Sequence, residues 1–261
     1  MYPILLSWGS IILPSWHAFY ALAAILGYLY LIKTNQKFTE INISILNFIY
    51  LTAYISGYFG ARILSLMIEE SSFELKDVFT IGSMTFYGGF IGAMISCSSI
   101  AIYHRWPIFK LIDCCIPAGI FALAVGRIGC FLNGDDYGKP TRDFLMHNPW
   151  WGVTFPNLND QTPRIPTQLI ESAFCLILSI SCYYLPLRLR SKLGYGEIGL
   201  LSLAAYCLFR FGIEYLRGDE RGTLFTEFLS TSQSISIILL TIIPLLWWIK
   251  KTMTLTEKKR T

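Results

Sequence analysis

The chain is 261 residues long, 54% hydrophobic and only 15% charged, with a mean hydropathy of +0.50. That composition excludes an ordinary soluble globular domain and indicates an integral membrane protein. The net charge of +4 is modest and, as set out below, sorted by side of the membrane, so it marks topology and not a nucleic-acid surface. The seven cysteines, at 97, 114, 115, 130, 175, 182 and 207, fall in or at the ends of apolar segments and are odd in number. They argue against a disulfide framework and leave six as small buried hydrophobes. No zinc-type spacing of Cys or His is present. Residues 1 to 32 contain no Lys or Arg, so no cleavable signal peptide is expected and the chain should enter the membrane through its own helices.

A helix needs about 20 mainly apolar residues to cross a hydrocarbon core. Seven windows meet that need, at roughly 14–33, 43–68, 82–103, 112–132, 167–187, 198–217 and 229–249. Residues 3–13 are apolar but too short to span and are bounded by Pro14, which suggests an interfacial or packed N-terminal segment. The fold expected is therefore an all-α polytopic membrane protein of about seven transmembrane helices.

The basic residues choose its orientation. Lys33 and Lys37 follow the first helix, Arg105 and Lys110 the third, Arg188, Arg190 and Lys192 the fifth, and five more follow the seventh, twelve in all on one side. Lys76, Lys139, Arg142, Arg164, Arg217 and Arg221 are spread over longer loops on the other side, mixed with acids. The positive-inside rule then puts the N-terminus outside and the C-terminus in the cytoplasm. With no internal repeat, residues 1–261 read as a single integral membrane domain. Residues 133–166 form its one sizeable extracytoplasmic loop, whose Pro140, Pro149, Trp150, Trp151, Pro156, Pro163 and Pro166 suit turns and an aromatic cover over a site.

Within the fourth window the stretch from Gly126 to Gly138 carries Arg127, Asn133, Asp135, Asp136 and four glycines in thirteen residues. An intramembrane arginine costs about 2.5 to 3.5 kcal/mol on insertion scales unless paired or hydrated, so it marks a functional site. On the topology above, the other polar residues gather at the same depth, in the outer leaflet: Tyr20, Arg62, Tyr87-Gly88-Gly89, Gln168, Glu171, Arg210, Glu214, Arg217 and Gln233. Residues 210, 214 and 217 are spaced i, i+4, i+7, which puts them on one helical face with Arg210 and Glu214 as an intrahelical pair. Such pairs can serve only to hold helices together. Three intrahelical arginines at one level point instead to an anion, because guanidinium grips phosphate bidentately and keeps its charge when partly desolvated. At that depth the anion is a phospholipid headgroup. Glycines at 126, 129, 134 and 138 permit close backbone approach and positive φ, or act as packing devices.

These residues resemble the signature of the prolipoprotein diacylglyceryl transferases of bacterial inner membranes, in the form Gly126-Arg127-Ile128-Gly129-x-Phe131-Leu132-Asn133-Gly134-acid-x-x-Gly138. Further matches follow in the family's order: Phe19-Tyr20, Gly60-Ala61-Arg62, Met84 to Gly92, Pro166-Thr167-Gln168-Leu169-Ile170-Glu171, Arg210-Phe211-x-x-Glu214-Tyr215-x-Arg217, and Ser232-Gln233-Ser234. The resemblance covers about residues 15–250 and agrees with the seven-helix outline. It implies transfer of an sn-1,2-diacylglyceryl group from phosphatidylglycerol to the lipobox cysteine thiol of a preprolipoprotein signal peptide, the first step of lipoprotein maturation. The second product would be glycerol phosphate, no metal or soluble cofactor is expected, and the lipid bilayer surrounds the protein.

Carried onto this chain, the resemblance makes Arg127 and Arg210 the phosphate ligands, oriented by Glu171 and Glu214. Tyr20, Asn133 and Asp135 would bind the glycerol headgroup or position the thiol. Gly138 would shape the loop over the site, and Tyr87, Gly88, Gly89, Gln168, Arg217, Arg62 and Cys130 would complete substrate binding, Arg217 and Arg62 with a structural role as the alternative. Two positions depart from the family pattern. Tyr87 stands where His is usual, and with an ordinary pKa near 10 it serves as a hydrogen-bond donor and not as a base. Proton removal then falls to a carboxylate or to a thiol already partly ionised, since His17 reads as an interfacial residue. Cys130 stands where Asn is usual: it either fills that space or, with Arg127 three residues before it to lower its pKa, serves as a nucleophile. Two other readings remain, a diverged paralogue with a different acceptor and a non-catalytic phospholipid-binding protein.

Overall fold

The computed structural model describes residues 2–8, 11–69, 74–79, 85–143, 151–158, 160–184, 193–219 and 228–258. Met84, Pro149, Trp150, Arg188, Arg190, Lys192 and Arg221, which figure in the expectations above, lie outside them. Two short strands, β1 (Ile4–Trp8) and β2 (Ile11–Pro14), precede seven long helices among the described residues. These are α1 (Ser15–Thr34), α2 (Ile43–Glu69), α3 (Phe86–Tyr103), α4 (Ile108–Asn133), α5 (Thr167–Tyr184), α6 (Glu197–Ile213) and α7 (Thr231–Lys258). Each of the seven apolar windows thus contains most of one of these helices. Six of the helices are long and apolar enough to cross a membrane, while the apolar stretch of α3, Tyr87–Tyr103, is shorter.

The apolar N-terminal run is a β-hairpin, with Trp8 opposite Ile11 and Ile4 opposite Pro14. Every residue of β1 is exposed, and the Pro3 carbonyl accepts from Ser15 N at 2.9 Å. The run is too short to bury a helical face, and its β-branched isoleucines favour extended backbone.

Two compact units make up the chain, one of residues 35–111 and one of 1–34 with 112–261. In the first, α2 and α3 pack through glycines. A Cβ on Gly60 would fall on the Gly88 carbonyl, one on Gly88 would meet Leu64 Cβ at 2.7 Å, and one on Gly92 would meet Ser56 O at 2.6 Å. Helices in lipid gain little from apolar burial against each other, so small residues that bring backbones together supply the packing. The buried Arg62 belongs to this unit and donates from Nε to the Asp77 carbonyl at 3.1 Å.

In the second unit, α4 is the central element. Gly27 of α1 meets Ala122, whose Cβ lies 2.9 Å from where a glycine Cβ would be, and Gly129 meets Phe19 in the same way at 2.6 Å. Ile120, Ala124 and Cys175 form the buried apolar centre between α4 and α5. There Ser172 Oγ donates to the Ala124 carbonyl at 2.7 Å, fixing the register of the two helices. Asp113 of α4 accepts from Gly196 N at 2.6 Å and Gly199 N at 2.9 Å, capping the otherwise unpaired amides that open α6.

The far end of α6 departs from the sequence expectation. The helix stops at Ile213, Glu214–Leu216 tighten into a 3-10 turn, and Arg217 is extended with φ −78 and ψ 143. Lys139 N donates to Leu216 O at 2.8 Å and Gly218 N to Tyr137 O at 3.0 Å. The backbone groups that would continue the helix are taken by the loop after α4, so residue 217 leaves the helical face that its spacing predicted.

Candidate active site

The register set by Ser172 and Ala124 brings Arg127, one turn on in α4, level with Glu171 of α5. Glu171 is 2% exposed and is the hub of the cluster. Its Oε2 lies 2.9 Å from Arg127 Nε and 3.1 Å from Arg210 Nη1. Its Oε1 accepts from Arg127 Nη2 at 3.3 Å and from the Tyr206 hydroxyl at 3.0 Å. The contact to Arg127 Nε is one of charge proximity, because that N–H does not point along a hydrogen-bonding axis. Arg210 also reaches Glu214 Oε2 at 3.2 Å and donates to Ser232 Oγ at 3.0 Å. Ser230 and Gln233 hold the start of α7 in a reciprocal cap, at 3.2 Å in each direction, and so fix Ser232.

Above this hub sits the loop that leaves α4. Gly134 has φ 89 and its N–H closes on Cys130 O at 2.9 Å, a glycine ending the helix in the left-handed conformation. Gly138 packs so closely that an added Cβ would lie 2.7 Å from Ile165 Cβ, and its N–H donates to Ile165 O at 3.0 Å. Between these glycines Asp136, also left-handed with φ 61, turns its carboxylate to two arginines. Oδ2 lies 2.5 Å from Arg127 Nη1, and Oδ1 makes a close ion pair with Arg217 Nη2. Arg217 is held in turn by Asp219, through Nε at 3.0 Å and Nη2 at 2.8 Å. Burial opposes ionisation of Asp136, but Arg127, Arg217 and Arg210 outweigh it and keep its carboxyl below the usual aspartate value. Asp219 is the reverse, since burial raises its carboxyl despite the facing Arg217.

Three buried arginines therefore face four carboxylates, Glu171, Glu214, Asp136 and Asp219. The arrangement fixes buried guanidinium donors with carboxylate partners, a donor set whose chemistry suits a phosphate and charge developing on it.

Of the residues singled out in the sequence, Arg127, Arg210, Glu171, Glu214 and Arg217 come together in this cluster, with Cys130 Sγ 3.9 Å from Arg127 Nη1. Gln168 donates to the Asp135 carbonyl, and the Asn133 amide donates to the Asp135 carboxylate at the exposed rim. Tyr20 is exposed and stacks on Trp16, centroids 5.6 Å apart. Arg62, Tyr87, Gly88 and Gly89 belong to the unit of residues 35–111, where the two glycines serve the α2–α3 contact. Sequence reasoning missed Asp136, Asp219 and Tyr206. Tyr206 could have been found, because it lies four residues before Arg210 on α6 and so shares its face.

The family model described as prolipoprotein diacylglyceryl transferase matches residues 3–249. A phosphatidylglycerol–prolipoprotein diacylglyceryl transferase of Clostridium tetani is 32% identical over 191 residues, 70% of this chain and 72% of its own. Its counterpart from Wolbachia pipientis of Culex pipiens is 31% identical over 235 residues, 84% of this chain and 82% of its own. A second transferase of that name, from Clostridium perfringens, is 30% identical over 194 residues, 71% of both chains.

Proposed function

The chain belongs to the prolipoprotein diacylglyceryl transferase family, and we propose that its arginine cluster is the seat of diacylglyceryl transfer from phosphatidylglycerol to a prolipoprotein thiol. The observation that carries the site assignment is the convergence of two buried arginines on one carboxylate, Arg127 at 2.9 Å and Arg210 at 3.1 Å from Glu171 Oε2.

The reaction forms a carbon–sulfur bond and breaks the bond between a glyceryl carbon and a phosphate oxygen. The electron pair leaves with that oxygen, so the phosphate gains charge as the thiolate attacks, and the thiol proton must be taken up elsewhere. Arg127 and Arg210 meet this charge with donors already in place, and only interactions that strengthen toward the transition state speed the step. Glu171 and Glu214 fix the planes of the two guanidiniums, and Tyr206 holds Glu171. Asn133, Asp135, Tyr20 and Gln168 are assigned to the glycerol headgroup and the thiol, with Gly138 shaping the loop. Cys130 fills space beside Arg127, since the acceptor brings its own thiol. The acceptor is the lipobox cysteine of a preprolipoprotein signal peptide and the group moved is sn-1,2-diacylglyceryl.

We further read the chain as one integral domain of the bacterial cytoplasmic membrane with seven spans. The N-terminus is outside, the C-terminus is in the cytoplasm, and residues 133–166 are extracytoplasmic. The distribution of twelve Lys and Arg residues supports this orientation.

The test is a transfer assay with purified protein, phosphatidylglycerol and a lipobox peptide with or without its cysteine, beside Arg127→Ala, Arg210→Ala and Cys130→Ser. Product mass and glycerol phosphate release are read together. Cysteine-dependent addition that is lost in both arginine variants and kept in Cys130→Ser is the expected result. No addition by folded, lipid-binding protein would move the reading to a different acceptor.

A further inference from the structure

Each arginine of the cluster already faces carboxylates. Arg127 is divided between Glu171 and Asp136, Arg210 between Glu171, Glu214 and Ser232, and Arg217 between Asp136 and Asp219. With four carboxylates on three arginines, an anionic phosphodiester entering beside all of them would meet a site that already leans negative. One carboxylate has to yield its place.

The carboxylates are not equally held. Side-chain exposure is 2% for Glu171 and 4% for Glu214, both on the helix ends that build the hub, against 29% for Asp136. Asp219 is 20% exposed and grips Arg217 through two oxygens. Asp136 stands on a loop, bridging two arginines from opposite sides with one oxygen to each. Its backbone is anchored separately, by Thr167 Oγ1 donating to the Asp136 carbonyl at 2.8 Å. The side chain can therefore rotate outward while the loop stays in place. The gap it leaves, between Arg127 Nη1 and Arg217 Nη2, is one that a two-oxygen anion already spans.

We propose that Asp136 is the resident counter-anion of the phosphate position, holding the gap between Arg127 and Arg217 until the phosphodiester of phosphatidylglycerol displaces it. This rests on the reading of the site given above and extends it in two ways. Arg217 becomes a phosphate ligand alongside Arg127 and Arg210, and the resting enzyme carries a built-in competitor for its own lipid. Asp136 falls at an unspecified position of the motif, after the acid at 135.

The experiment compares wild-type protein with Asp136→Asn and Asp136→Glu, using phosphatidylglycerol as substrate and glycerol phosphate as the competing anion. Removal of a partly exposed competing charge should lower both the KM for phosphatidylglycerol and the inhibition constant of glycerol phosphate by about fivefold to tenfold in Asp136→Asn. Asp136→Glu, which keeps the charge, should stay near wild type. A loss of packing would weaken binding, the opposite direction. Unchanged or weaker affinity in Asp136→Asn that is still folded at the assay temperature overturns the proposal.

A second measurement needs no variant. Glycerol phosphate added to wild-type protein should increase carbodiimide labelling of the Asp136 carboxylate, read by mass spectrometry, and no increase would also overturn it. Transfer that survives in Arg127→Ala and Arg210→Ala would sink the site assignment itself. Loss of transfer in those variants with no change in anion affinity in Asp136→Asn would sink the counter-anion alone.

Discussion

Glu171→Gln tests the hub most directly. The substitution keeps the size of the side chain and removes one charge from a position 2% exposed that touches Arg127, Arg210 and Tyr206. A glutamine oxygen can still accept from one of these groups, but its NH2 must then face a guanidinium, donor against donor. Removing one partner of a buried ion pair costs about 3 to 5 kcal/mol. The lower end applies, because Arg127 keeps Asp136 at 2.5 Å and Arg210 keeps Glu214 at 3.2 Å. At roughly 2 to 4 °C per kcal/mol for a chain of this size, about 3 kcal/mol lowers the unfolding midpoint by about 6 to 12 °C. Transfer should fall further than stability, by about 100-fold or more, since both guanidinium forks proposed to bind phosphate lose their orientation and small misplacements are costly.

Thermal unfolding in detergent, followed by tryptophan fluorescence, and the peptide transfer assay at a temperature well below both midpoints would read the two effects separately. A midpoint within about 2 °C of wild type together with nearly full transfer would refute the claim that one carboxylate organises the site.

Arg210→Lys should retain fold but lose most transfer, because an ammonium cannot bridge Glu171, Glu214 and Ser232 in one plane; product formation beside an unchanged unfolding midpoint checks this. Gly60→Ala should destabilise the protein by about 1 to 3 kcal/mol, since the new methyl group falls on the Gly88 backbone and not on a side chain that can move, and a lowered unfolding midpoint is the readout. The pH dependence of Asp136 has a defined sign: with a carboxyl held below the usual value, its contribution is fully present above the unfolded aspartate pKa of about 3.9 and is lost only as pH falls through the lower folded value. The difference in unfolding midpoint between wild type and Asp136→Asn should thus be flat from pH 7 to about 5 and change only below about 3.9; a change confined to pH 5–7 would contradict the depressed carboxyl.

The helices were legible because each must present about 20 apolar residues to lipid, a signal that survives without knowledge of packing. The hairpin at residues 4–14 was not, since a short apolar run carries no period that separates strand from buried helix. Arg127, Arg210 and Glu171 could be read as one site because charges within apolar windows are rare enough to be sought at a common depth. The place of Arg217 could not. Its i+7 spacing from Arg210 assumes a helix that continues, and the turn at Glu214–Leu216 ends it for reasons that lie in residues 137–139. Asp136 was hidden by its neighbour. Of two adjacent acids, the one that meets the arginines is decided by φ 61 at Asp136 after φ 89 at Gly134, a conformation no spacing rule contains.

The same carboxylates that pair the buried arginines set a constraint on catalysis. A buried guanidinium without a partner is costly, so Glu171, Glu214, Asp136 and Asp219 are conditions of folding before they are parts of a proposed mechanism. If all four stayed in place, the lipid phosphate would be repelled in the ground state and its developing charge repelled still more as the carbon–oxygen bond breaks. Exchange of Asp136 for the phosphate leaves the count of charges on the arginines unchanged on binding. The ground state then gains little, and the charge added during bond breaking falls on Arg127, Arg210 and Arg217 with one carboxylate fewer beside them. Binding energy is thereby kept for the transition state, where it raises the rate, and not for the resting lipid complex, where it would only deepen the well from which the reaction must climb.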